Sequence, residues 1–185
     1  MRRLQGWIAA IVCLAVAGFI RTSIPETIPD TYAVAAEGHG PLKVDRFSAE
    51  LVDVEVGNQL MSVEDPSVTL ESESMFVVAR VRLTAHERTL LPELRLHTRD
   101  GYSYSPLEMW GLSSVNAVYV GQWNETTYLF EIPRDKVDEV TSLSVDSGAG
   151  VGVSPPRPAV TFDVAALPDP TPTVLVSPTD VGPAS

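Results

Sequence analysis

Hydrophobic positions run together at one end of this chain, alternate with polar ones through its middle and are broken up by prolines at the other end. The alternation is clearest in Phe76-Val77-Val78-Ala79-Arg80-Val81-Arg82-Leu83. There Val77, Ala79, Val81 and Leu83 share one parity, while Arg80 and Arg82 take the other. Successive strand side chains point to opposite faces, so a period of two predicts a half-buried strand. Lys43–Val56 alternates with a change of phase: Phe47, Ala49 and Leu51 on one parity, then Val52, Val54 and Val56 on the other. That shift predicts a bulge, or a strand that swaps its buried face. Glu93–Thr98 and Tyr102–Tyr104 flank Asp100-Gly101, a pair suited to the positive φ angles of a type I′ turn, which predicts a β-hairpin. Further strands are expected at Leu60–Val63, Val68–Glu71, Val115–Val120, Thr127–Ile132, Ser142–Asp146 and Val160–Val164. Pro133 should end its strand, and a short helical turn is expected around Arg134–Val140. Short strands separated by turn residues predict an all-β antiparallel sandwich over residues 42–166.

The continuous apolar run is Leu4–Ile20, preceded by Arg2 and Arg3 and closed by Arg21. As a helix it would span roughly 26 Å, the lower end of a bilayer core. The two arginines place residues 1–3 in the cytoplasm and the rest outside. Ala15-Val16-Ala17 and Ala33-Val34-Ala35 have the form of cleavage sites. The first would leave too short a core, and the second lies far downstream. Residues 4–20 are therefore expected to be a retained single-pass transmembrane signal-anchor in the plasma membrane, with an extracytoplasmic C-terminal domain. Residues 21–41, with Pro25, Pro29, Pro41, Gly38 and Gly40 and no clear period, read as a juxtamembrane spacer. Residues 167–185, rich in Pro, Thr and Ser, cannot build a core and read as a disordered or extended tail.

Charge narrows the partners. The chain has 13 basic and 24 acidic residues, and every acidic residue follows Arg21. Such a surface lacks the clustered Lys and Arg that nucleic acid or anionic lipid headgroups require, so no nucleic-acid partner is expected. Cys13, inside the apolar run, is the single cysteine. The outer domain is thus expected to stand on its hydrophobic core without disulfides.

Phe76–Leu83, the Leu94–Tyr104 hairpin with its Asp-Gly turn, and Phe130-Glu131-Ile132-Pro133 together resemble a family of bacterial domains. These are secreted or membrane-tethered immunoglobulin-like domains of unknown function, and they include a secreted mycobacterial antigen. The resemblance spans about Val44–Val164 and implies an immunoglobulin-like sandwich in the cell envelope, with no catalytic residues. Two departures stand out: Cys13 follows Val12 rather than a small residue, and Ala85-His86-Glu87 stands where members often have Asn.

Candidate chemistry is sparse. His39, His86 and His97 have no cysteine to complete a zinc set, and His86 and His97 read as exposed. Glu64-Asp65 and Glu71–Glu73 lack the spacing of a calcium loop, and no Gly-x-Ser-x-Gly elbow marks a nucleophile. Gly148–Gly152 has no following helix with which to cradle phosphate. Asn124-Glu125-Thr126 matches a glycosylation sequon. No metal, cofactor or catalytic residue is expected. Aromatics crowd between Tyr102 and Phe130, where core packing accounts for most of them. Met109 and Trp110, in a loop after Ser105-Pro106, and Trp123 are the residues singled out for a binding surface. Trp110 is either a contact for a partner or a plug at one end of the sandwich. The expected function is a non-enzymatic, membrane-anchored module that binds an envelope or membrane protein. The alternative is a small-ligand carrier or envelope enzyme with a site on its loops.

Overall fold

The computed structural model describes residues 31–36, 39–44, 46–108, 117–147 and 157–184. Residues 4–20, Met109, Trp110 and the start of the strand expected at Val115 lie outside them. Among the described residues, no helix is long and apolar enough to cross a membrane. Eleven strands are described: β1 Thr31–Ala35, β2 Leu42–Val44, β3 Phe47–Ser62, β4 Thr69–Ala85, β5 Glu93–Thr98, β6 Ser103–Tyr104, β7 Gln122–Ile132, β8 Val140–Asp146, β9 Arg157–Asp163, β10 Thr171–Val176 and β11 Asp180–Pro183. A 3₁₀ helix, Arg134–Glu139, follows Pro133. One sheet runs β1-β9-β8-β5-β6, and the other runs β10-β3-β4-β7-β11 with β2 beside β3. The protein is a β-sandwich.

The parity read in β4 is the parity the fold uses. Val77, Ala79, Val81 and Leu83 are all buried in the inter-sheet core. From the same sheet they meet Phe47, Leu51 and Phe130, and from the other Leu94, Leu96, Leu143, Val145, Val160 and Phe162. The phase change in β3 is a bulge, a register shift against β4 between Leu51 and Asp53, and a second shift follows between Gly57 and Gln59. Arg80 and Arg82 face outward into ion pairs.

Four expectations need correction. The Asp100-Gly101 turn is not type I′, because Asp100 keeps a negative φ and only Gly101 is positive, at 90°. Gly101 N–H donates to Thr98 O at 3.1 Å and Thr98 N–H to Tyr102 O at 3.0 Å. This is a three-residue loop built on a type I turn, with glycine in the left-handed position. Asp100 is drawn into side-chain bonds instead, accepting from Thr98 Oγ1 and Lys136 Nζ at 2.6 Å each. Lys136, ahead of the other partners, holds the Asp100 carboxyl well below the usual carboxylate range.

The sheets are not wholly antiparallel, since β1 runs parallel to β9 and β10 parallel to β3. The spacer also contains structure: β1 is an edge strand whose Val34 packs against the core.

The fourth correction is the largest. The tail, expected to be disordered or extended and without a core, forms the paired strands β10 and β11. Its Pro172 and Pro183 lie in edge strands, where a missing N–H is tolerated. Between them the chain straps the outer face of the second sheet. Val174 and Val176 bury there with Leu60, Phe76, Val78 and Leu129, in a cluster separate from the inter-sheet core. Gly57 admits the strap at close quarters, since a Cβ there would stand 2.7 Å from Thr171 O and 2.8 Å from Val174 Cγ2. Gly57→Ala should therefore loosen the strap, lowering stability by about 1–3 kcal/mol as overpacking does. Urea unfolding monitored by circular dichroism measures it.

Candidate functional site

Of the residues singled out for binding, Trp123 is the one the structure describes. It lies near the start of β7, opposite Thr84 of β4 and Gly182 of β11. Cross-strand partners point the same way, so the indole reaches across Gly182: a Cβ there would come within 2.6 Å of the ring. Arg82, diagonal to it on β4, sets its guanidinium carbon 5.2 Å from the ring centroid, within cation–π range. Trp123 is therefore half-buried and engaged within the chain, clamping the C-terminal strand.

Around it the outer face is charged in both signs. Arg82 bonds Glu125 at 2.7 Å and Glu50 at 3.2 Å, and Arg80 approaches Asp53 at 3.7 Å and Glu125 at 3.9 Å. The hydrogen bond with Glu125 holds Arg82 even more firmly protonated than usual. Three carboxylates thus match two guanidiniums, which leaves neither arginine free to bind an anion. Beside them Ser48, Arg82, Thr84, His86, Trp123 and Pro183 line a groove of about 460 Å³. A second cleft, of about 660 Å³, lies between His39, Asp53 and Val54 on one side and Asp163–Pro168 on the other. Its carboxylates are used locally: Val54 N–H donates to Asp53 Oδ1 at 2.8 Å and Ala165 N–H to Asp163 Oδ1 at 2.9 Å.

The histidines do not converge. His86 follows β4 in one sheet, and His97 lies in β5 of the other. Among the described residues, no group of three or more His, Cys, Asp and Glu is placed to hold a metal ion. His97, expected to be exposed, is half-buried with its Nε2 at 2.7 Å from Ser144 Oγ. Ser144 Oγ also donates to Arg95 O at 3.4 Å. Which of the ring and the hydroxyl donates in the 2.7 Å contact is set by the imidazole tautomer.

Burial, and then the charge of Arg95, push the His97 pKa below the ordinary histidine value. Its folded form takes up a proton less readily than the unfolded chain. The stability this linkage supplies is present above about pH 6.5 and is lost as the pH falls from there through the folded pKa. His97→Gln should flatten the dependence between pH 7 and 5. Thermal melts of both chains across that interval check it.

The sequon asparagine faces inward. Asn124 is buried, and its Nδ2 donates to Ala117 O at 3.2 Å, so the folded chain does not present it for glycosylation. The described aromatics of this stretch differ in burial. Tyr128 and Phe130 are core, Tyr104 and Trp123 are half-buried, and Tyr102 and Tyr119 are exposed. Two features escaped sequence reasoning: the clamp of Trp123 on Gly182, for which no local signal exists, and the apolar patch under the strap. The uninterrupted run Phe76–Ala79 carried the signal for the patch, because a strand apolar on both parities is covered on both faces.

Neither a family model nor a curated protein matches the chain. Two solved structures are similar to it. An uncharacterized beta-sandwich protein from Clostridium difficile 630 is 11% identical, with a TM-score of 0.49 over 76% of this chain and 99% of that one. A conserved hypothetical protein from Bacillus anthracis is 15% identical, with a TM-score of 0.46 over 62% of this chain and 87% of that one.

Proposed function

We propose that the chain is an immunoglobulin-like module, held at a bacterial plasma membrane by residues 4–20, that binds an envelope or membrane protein and catalyses no reaction. The immunoglobulin-like assignment draws support from strand order. β3-β4-β7 in one sheet and β9-β8-β5 in the other succeed one another as strands A-B-E and G-F-C of such domains do. The membrane assignment draws support from Leu4–Ile20 and its flanking arginines.

The observation that carries the binding role is the filled interior. Phe47, Phe130, Phe162, Leu96 and Leu143 are at most 1% exposed and occupy the space between the sheets, leaving partners the outer faces and loops. Loops on a rigid sandwich are where such modules make contacts, and Met109 and Trp110 lie on the segment joining β6 to β7.

Affinity capture of the tagged full-length chain from membranes tests this reading. A discrete protein retained by the wild type, and lost with Trp110→Ala at unchanged melting temperature, is expected. A Trp110→Ala chain that melts early yet captures the same protein would retire the contact and leave Trp110 as a plug. Mass spectrometry of the membrane fraction should find the intact N-terminus. A chain beginning near Gly18 or Ala36 in the membrane-free fraction would overturn the anchor.

A further inference from the structure

The strap meets the body along a self-contained surface. β10 pairs with β3 alone, and β11 with β7 alone. Val174 and Val176 bury in a cluster that shares no buried residue with the inter-sheet core. Polar contacts fix the rims: Thr173 Oγ1 donates to Gln59 Oε1 at 2.6 Å, and Thr127 Oγ1 donates to Ser177 O at 3.2 Å. At the far end the Trp123 indole covers Gly182. Val174, Val176, Thr173 and Gly182 select the strap by its sequence, while the ladders and the bond to Ser177 O hold its backbone. None of these contacts depends on strap and groove belonging to the same chain.

What makes them one chain is the connection from Val164 to Pro170, which contains Pro168 and Pro170. The cleft of about 660 Å³ lies against this connection, separating it from His39, Asp53 and Val54. Protein interiors leave few voids larger than a water molecule, so the connection stands off the body over part of its length. Val164, at its start, is buried in the main core, and Leu167 packs against that core. Beyond Val164, lifting the connection forfeits the packing of Leu167, whereas lifting the strap uncovers Leu60, Phe76, Val78 and Leu129 together. A patch of that kind does not stay open in water.

We propose that residues 171–183 form an exchangeable strap, and that the occupant of a vacated groove is the same segment of a second copy. An exchange between identical chains re-forms every strap contact and changes only the connection, which is the low-cost route to a two-fold dimer. A foreign peptide would have to reproduce the two valines at i and i+2 that fill the patch and the glycine under Trp123. A second copy brings all three by identity. The proposal stands on the described residues and is independent of the membrane anchor.

Cross-linking of the full-length chain tests it. Cys13 is the single cysteine, so Cys13→Ser gives a thiol-free background. Gln59 and Thr173 are register partners whose side chains touch, which suits the Cα separation of a disulfide. One chain carries Gln59→Cys, and a second carries Thr173→Cys. After incubation together at high concentration and mild oxidation, a covalent dimer of twice the chain mass, containing one of each, is expected. A third chain carrying both substitutions should also oxidise within itself at low concentration. If that chain closes but the mixture gives no covalent dimer at any concentration, the strap is fixed in its own chain and the proposal is overturned. If neither forms a disulfide, the strap register is wrong and the proposal falls with it. Adding Val174→Asp to the Thr173→Cys chain should abolish the dimer. A dimer that survives it reflects chance collision of surface thiols and would also overturn the exchange.

Discussion

Val81→Asp should leave the domain unfolded or close to it at room temperature. Val81 is fully buried at the centre of β4, with Leu51 of β3 on one side and Thr126 of β7 on the other. β4 is internal to its sheet, so an aspartate there cannot turn to an edge, and apart from the Thr126 hydroxyl the inter-sheet face offers it apolar neighbours. Neutralising the carboxyl still leaves a polar group without water, and the valine's packing is lost as well. These effects together reach about 4–5 kcal/mol, the extreme of single substitutions. Domains of this size hold only about 5–15 kcal/mol in total. Chemical denaturation of the full chain measures the loss. A midpoint equal to that of the wild type would mean that the opposite parity of β4 faces the core.

The confidence with which β4 can be targeted comes from sequence alone, because its alternation is a local property. The same holds for the β3 bulge, which is a change of phase, and for Pro133, which lacks the N–H a ladder needs. The Asp-Gly turn shows where local reading stops. The dipeptide set the position of the turn but not its type: three residues, Arg99–Gly101, separate Thr98 from Tyr102, and among them Gly101 alone takes a positive φ. Parallel pairing is further from view. β1 meets β9, and β10 meets β3, across most of the chain's length, and no residue of β1 or β10 encodes that distance.

Trp123 shows the same limit at the site. By sequence it stands beside Met109 and Trp110 as an aromatic for a binding surface. What decides its role is that Gly182 and Arg82 converge on the ring from two other strands. The tail failed for a different reason. There the prolines mask a short β-forming run, Thr173-Val174-Leu175-Val176, whose burial alternates in the fold, Val174 and Val176 in and Leu175 out. Prolines exclude a central strand but not an edge strand, and these four residues with alternating burial suffice to seal a patch.

That alternation makes neighbouring tail residues behave as opposites. Val174→Asp should lower stability by about 2–3 kcal/mol, whereas Leu175→Asp should stay within about 0.5 kcal/mol of the wild type. Val174 is fully buried and Leu175 is 52% exposed, so the same charge meets apolar side chains in one case and water in the other. A disordered tail would make both substitutions silent. The loss at Val174 should still be smaller than at Val81, although both valines are equally buried. β4 is held between two strands, so its aspartate is trapped. The strap can lift away and carry its aspartate into water, so the cost is capped at the free energy with which the strap docks. Hydrogen exchange separates the two outcomes. In the Val174→Asp chain, amides of residues 171–183 should lose protection while those of β4, β5 and β8 keep theirs. Loss of protection throughout the sandwich would show that the strap is integral to the core and cannot open by itself.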